Sequence, residues 1–119
     1  MEIHIDDQKT LDQLKEEFSS RYPFLKIEFF NQAPSEGGSS PKSDMIMENS
    51  SLGAIRKKHN EGDILIKGEM KVGELEREFE NRYGIHVQVF RKSGDLWLET
   101  SATDEWTLNE QNLTGEEMS

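Results

Sequence analysis

Two stretches of the chain repeat one another at a constant offset of 61. Residues 3–22 read IHIDDQKTLDQLKEEFSSRY and residues 64–83 read ILIKGEMKVGELEREFENRY. Ile3 and Ile5 match Ile64 and Ile66, Leu14 matches Leu75, Glu17-Phe18 match Glu78-Phe79, and Arg21-Tyr22 match Arg82-Tyr83. After one extra residue near Pro23, Ile27 and Phe29-Phe30 match Val87 and Val89-Phe90. A repeat of this kind constrains the fold more than any local signal does. The period is too long and the copies too few for a solenoid. The expectation is a duplicated supersecondary unit with pseudo-twofold symmetry, repeat one spanning 1–50 and repeat two 62–112.

Each unit carries the same physical grammar. Alternating apolar residues at Ile3 and Ile5, and the run 63–67, predict a first strand. Leu11, Leu14, Phe18 and Tyr22 then fall at i, i+3, i+7 and i+11, the stripe of an amphipathic helix, and Val72, Leu75, Phe79 and Tyr83 repeat it. Thr10 and Gln13 have capping-box spacing. Lys71 stands where the second helix needs a cap, which predicts a weaker start there. Pro23 and Gly84 end the two helices. Second strands are predicted at 25–30 and 85–91, and third strands at 45–48 and 95–99. Ser93-Gly94 supplies a tight turn in the second unit. In the first unit, residues 31–43 (NQAPSEGGSSPKS) read as a flexible loop. Residues 51–59 predict a short helix.

Leu, Ile, Val and Phe account for 27 of the 119 residues. That is just above the level of ~20% below which highly charged chains stay disordered, so one folded domain over 1–112 is expected, with unfolded appendages. From residue 104 onward the chain has five acids and no Lys or Arg, half of its formal charge of -10. Residues 113–119 read as a disordered acidic tail. The acidic balance argues against nucleic-acid binding through phosphates and against anionic membrane surfaces. No apolar run reaches the ~18 residues of a membrane span, and the start lacks the pattern of a signal peptide. With no cysteine there is no disulfide framework and no thiolate chemistry. These features point to the cytoplasm.

Candidate chemistry is sparse. His4, His59 and His86 show none of the spacings of a metal site, so no metal and no cofactor is expected. Neither a phosphate-binding loop nor a Gly-x-Ser-x-Gly elbow occurs. Glu17–Arg21 and Glu78–Arg82 have the i,i+4 spacing of structural ion pairs. The alternation of the strands is more informative. It sends Ile3, Ile5, Ile27, Phe29, Val87, Val89, Leu96 and Leu98 to one face, under the helices. The other face receives His4, Lys26, Glu28, Phe30, Ile46, Leu65, His86, Gln88, Phe90 and Trp97. A solvated face should be polar, and this one has three aromatic rings. They are to be covered by 51–59 and 101–112, by a second copy, or by a ligand or partner peptide.

The predicted fold is α+β: a duplicated β-α-β-β unit with two amphipathic helices packed on one face of a sheet. This layout is similar to that of the tautomerase group, which also duplicates a β-α-β unit. That group depends on an N-terminal proline. Here Met1 is followed by Glu2 and the first proline is Pro23, so no residue role carries over. The expected function is that of a non-enzymatic binding or assembly module, with a homodimer or another protein as partner. The candidate residues are His4, Glu28, Phe30, His86, Gln88, Phe90 and Trp97. The alternative is a small-molecule enzyme such as an isomerase, using His4, His86 or Glu28 beside the aromatic face.

Overall fold

The computed structural model describes residues 1–33 and 41–119. The elements run β1 (Glu2–Ile5), α1 (Leu11–Arg21), β2 (Leu25–Phe30), a 3-10 turn (Lys42–Asp44), α2 (Leu52–Ile55), β3 (Gly62–Leu65), α3 (Val72–Tyr83), β4 (His86–Ser93), β5 (Leu96–Glu99), a second 3-10 turn (Ser101–Thr103) and α4 (Leu108–Glu117). Among the described residues, four helices and two antiparallel sheets make a compact α+β domain. Of the loop expected over 31–43, residues 34–40 lie outside the described residues.

The single expected sheet is in fact two. β1 pairs with β3, Ile3 opposite Ile64, while β2, β4 and β5 form a three-stranded sheet in that order. The Met1 ammonium and carbonyl both bond to Ile66, lengthening the first ladder by one step. Both sheets turn their apolar residues into one core: Ile3, Ile5, Ile64 and Ile66 from the first, Ile27, Phe29, Val87 and Val89 from the second. The helical stripes complete it with Leu14, Phe18, Leu75 and Phe79, all fully buried. Each such side chain removed from water stabilises the fold by roughly 1.5–3 kcal/mol.

The helix ends follow the local chemistry. Thr10 caps α1 in a reciprocal capping box with Gln13. Lys71 gives α3 no side-chain cap, and Gly84 ends it in the left-handed conformation with φ 66°. Glu78 pairs with Arg82 at 2.6 Å as its spacing implies. Glu17 instead takes Lys9 at 2.7 Å, while Arg21 lies over the Tyr22 ring. The fully buried guanidinium of Arg56 ties three segments together. It donates to Asp7 Oδ1 and to the carbonyls of Asn60 and Tyr83.

Three other expectations are corrected. The strand over 45–48 is reduced to a single bridge, Phe30 opposite Met45, with Ile46 N donating to the Phe29 carbonyl. The chain then leaves for α2, which needs Leu52 in the core. Leu96 and Leu98, expected to face inward under the helices, are 66% and 40% exposed. β5 is the outermost strand of its sheet. Finally, the expected disordered tail is helical, because α4 continues to Glu117. A Thr107–Glu110 capping box starts it. Leu108, Gln111 and Gly115 are its buried face, and Asn112 Oδ1 accepts from Phe24 N.

Candidate functional site

The residues singled out by alternation divide between the two sheets. His4 lies on the two-stranded sheet, half exposed, with Nδ1 3.0 Å from Asp63 and Nε2 3.3 Å from Asp6. On the three-stranded sheet, Lys26 stands opposite Phe90, Glu28 opposite Gln88 and Phe30 opposite His86. The ammonium of Lys26 lies 5.6 Å from the Phe90 ring centroid and 5.1 Å from that of Trp97, so these three share a face. Phe30 and Phe90 are only 2% and 7% exposed, and Gln88 is buried with them. This part of the face is therefore covered. Trp106 does not cover it. Its ring lies against Arg91, on the side of the sheet that α4 occupies. Glu28 is engaged by Lys15 at 2.9 Å and Lys26 at 3.9 Å. The register thus sets Glu28, Phe30, His86, Gln88, Phe90 and Trp97 on one face of the three-stranded sheet and leaves only His4 on the other sheet.

The exposed surface lies at the edge of this sheet. Gly94, with φ 59°, opens a two-residue hairpin turn between Ser93 and Leu96. Glycine at the first central position is the type II′ signature, and the flanking residues then form a hydrogen-bonded pair. Leu96 and Leu98 consequently direct their backbone groups at β4, and Trp97 and Glu99 direct theirs away from it. All four residues of β5 are exposed, with Trp97 at 37%. β5 has neither Lys nor Pro, and its register with β4 runs without a bulge. These are some of the devices by which edge strands resist pairing, and β5 keeps two others, being four residues long and ending on Glu99.

This edge continues into α4. Gly94 N donates to the Met118 carbonyl at 2.9 Å, so the hairpin tip touches the helix end. At the other end, Leu98 stands opposite Arg91, whose guanidinium lies 5.7 Å from the Trp106 ring and donates to Gln111 Oε1. Trp106, Leu113 and Met118 are all exposed. Leu96 and Leu98 are exposed too, so the hairpin and α4 both present apolar side chains to solvent.

A second feature escaped the sequence reading. Between α3 and the stretch of β4 that precedes β5 lies a cleft of about 140 Å³. Glu76, Arg77, Glu80, His86 and Asp104 line it. Glu76 Oε2 accepts from Val89 N at 3.0 Å, and Thr100 Oγ1 donates to the Val89 carbonyl at 2.8 Å. Side chains thus take over the edge of β4 where β5 leaves it. Burial pushes the Glu76 carboxyl up to about 7, helped by Asp104 and opposed by the Val89 N–H and Arg77. The signal was present: residues 72, 76, 79 and 83 form a helical stripe, so Glu76 shares the apolar face of α3. His86 Nδ1 sits 3.2 Å from Glu80. A wider depression beside α1, about 500 Å³, is open, and its polar groups, including Lys9, Glu17 and Gln13, already bond within the chain.

Among the described residues no cluster of His, Asp or Glu is arranged to hold a metal ion, and no helix is long and apolar enough to cross a membrane. No protein-family model matches the chain, and no curated protein and no solved structure matches it either.

Proposed function

We propose that this protein is a non-enzymatic binding or assembly module whose contact surface is the outer edge of β5, flanked by the apolar side chains of α4. The observation that carries this reading is the strand Leu96–Glu99. It is the last strand of its sheet and exposes parts of three large apolar side chains, with no Lys, Pro or bulge to block pairing. Such an edge recognises extended chains. Main-chain hydrogen bonds supply affinity and alternate side chains supply selectivity. The reading replaces the sheet face first considered, because Phe30, Gln88 and Phe90 are buried.

The duplication inferred from the sequence is part of the same proposal, and paired backbone bonds support it. In the first half Leu11 N donates to Ser50 O and Leu52 N to Lys9 O. In the second, Val72 N donates to Trp106 O and Leu108 N to Met70 O. The bridges Thr10–Ser51 and Lys71–Thr107 correspond in the same way. The halves differ where it matters for binding. Among the described residues, the first offers only the Met45 bridge at the position where the second builds β5. On this reading each chain presents one strand edge of this kind.

The test is addition of strand-forming peptides. A labelled peptide copying residues 94–101 and an unrelated octapeptide of alternating Thr and Val are titrated into dilute protein. Saturable binding is expected, and it should be lost when proline replaces the peptide's central residue and removes its N–H. Failure of both peptides to bind contradicts the proposal.

A further inference from the structure

We infer that the outer face of α4 docks a proline-containing segment of another protein that carries two arginines three residues apart. This rests on the reading of the chain as a binding module and names the chemistry of a partner. It does not require a strand at the β5 edge.

The inference starts from the stripe Glu110, Leu113, Thr114 and Glu117. These positions are i, i+3, i+4 and i+7, so they share one face of α4, opposite the buried Leu108, Gln111 and Gly115. With Trp106 they line an open groove of about 260 Å³. Trp106 and Leu113 are 38% and 55% exposed. The middle of the stripe is therefore apolar at Leu113, and a carboxylate stands at each end. Arg91, the cation over the Trp106 ring, comes from β4 and is bonded to Gln111 Oε1 on the buried side of α4.

The two carboxylates are available to a cation from outside. Glu110 Oε1 accepts from Thr107 N in the helix cap. Among the described residues no Lys, Arg or His pairs with Glu110 or Glu117. α4 ends on Glu116-Glu117 with no basic residue in its last turn. The helix dipole favours cations at that end and disfavours acids, so an arriving cation relieves a local conflict. The formal charge of -10 draws cationic segments to the surface over a longer range.

The spacing selects the segment. Seven residues of α-helix, from Glu110 to Glu117, rise about 10.5 Å. Three residues of polyproline II extend about 9.3 Å and complete one turn. Two arginines three residues apart therefore point the same way and reach both carboxylates together. Polyproline II segments dock in aromatic-lined grooves at little entropic cost, and Trp106 supplies the aromatic wall.

The blocked hexapeptide Arg-Pro-Leu-Arg-Pro-Leu, and the same peptide with Glu for both arginines, are titrated into isotope-labelled protein. Proline removes the N–H groups that strand addition needs, so the β5 edge is not what is read. The arginine peptide should shift Leu113, Thr114 and the Trp106 indole saturably. Its binding should weaken as added salt shortens the Debye length from about 10 to about 3 Å. The glutamate peptide should not bind. Glu110→Gln keeps the capping box, as Gln13 does in α1, and should weaken binding by about threefold. Glu117→Lys puts a cation in the last turn and should weaken it by about tenfold. Both variants should melt at or above the wild-type temperature, so a lost affinity reads as lost charge. Equal binding of the two peptides, no binding of the arginine peptide, or shifts confined to residues away from α4 overturns the inference. If the strand peptides bind and the arginine peptide does not, the β5 reading stands alone. If only the arginine peptide binds, the β5 reading falls and the groove remains.

Discussion

Replacing Glu76 by Gln should stabilise the protein at neutral and alkaline pH and leave it nearly unchanged in acid. The carboxyl is raised from its ordinary 4.5 to about 7, first by burial against the core and then by Asp104. A raised acid binds its proton more tightly in the folded state. Its contribution to stability is complete below pH 4.5 and is lost as the pH rises through about 7. At roughly 1.4 kcal/mol per pKa unit, the loss is on the order of 3 kcal/mol. Gln keeps an oxygen for the Val89 N–H but carries no charge, so the variant should not show this fall. Urea unfolding of both proteins between pH 4 and about 8.5 measures the difference. The gap should open from near zero in acid, widen through neutrality and level off above about pH 8. Glu76→Ala separates charge from hydrogen bonding. It strands a buried N–H and should cost about 1–3 kcal/mol at low pH. Parallel pH profiles for wild type and Glu76→Gln would refute the burial of an ionisable Glu76.

Three further outcomes follow from particular contacts. Gly115→Ala should destabilise by about 1–3 kcal/mol through overpacking, because a Cβ there would sit 2.8 Å from Phe24 Cβ and 2.9 Å from its carbonyl. The same change in a free helix would stabilise it, so calorimetry reads the docking of α4 from the sign. Gly84→Ala should cost about 1 kcal/mol, or roughly 4 °C in Tm, because the residue holds φ 66°. Asp7→Asn should lower the urea midpoint at pH 7 by leaving the buried Arg56 guanidinium without its carboxylate. Burial would raise the Asp7 carboxyl, but hydrogen bonds from Arg56 and His59 outweigh it and hold it below 3.8. The deficit of the variant should therefore shrink as the pH falls through that range.

The helices α1 and α3 and the strands β2 and β4 were legible because each has a clean period that matches its buried face. Thr10–Gln13 and Gly84 marked helix ends through local chemistry alone. The pairing of β1 with β3 was not legible, since alternation tells which residues face inward but not which strand lies alongside. Helix α4 was missed for a different reason. Beyond Leu108 it docks through Gln111, Asn112 and Gly115, two amides and an absent side chain, and none of these registers as hydrophobic. Leu96 and Leu98 showed the opposite failure. They alternate as core residues do, yet β5 lies past the cover of the helices, so the same pattern that fills a core in β4 makes an exposed surface in β5. Among the candidate residues, alternation grouped Phe90 with Trp97 and called for a cover over Phe30 and Phe90, without identifying what buries them. It also grouped His4 with them on one sheet, where the structure has two. Glu76 stood on the apolar stripe of α3 with its counterpart Lys15 on that of α1, a polar pair in matching positions that the repeat alignment contains.

Amide hydrogen exchange at Trp97 tests the role of β5 most directly. Its N–H is directed away from β4, while that of Leu98 is directed at β4. In dilute protein Trp97 should exchange rapidly and Leu98 slowly. With the strand peptides at saturation, Trp97 should become protected while Leu98 is unchanged. A Trp97 amide that exchanges at one rate under both conditions would contradict the assignment of this edge as the contact surface.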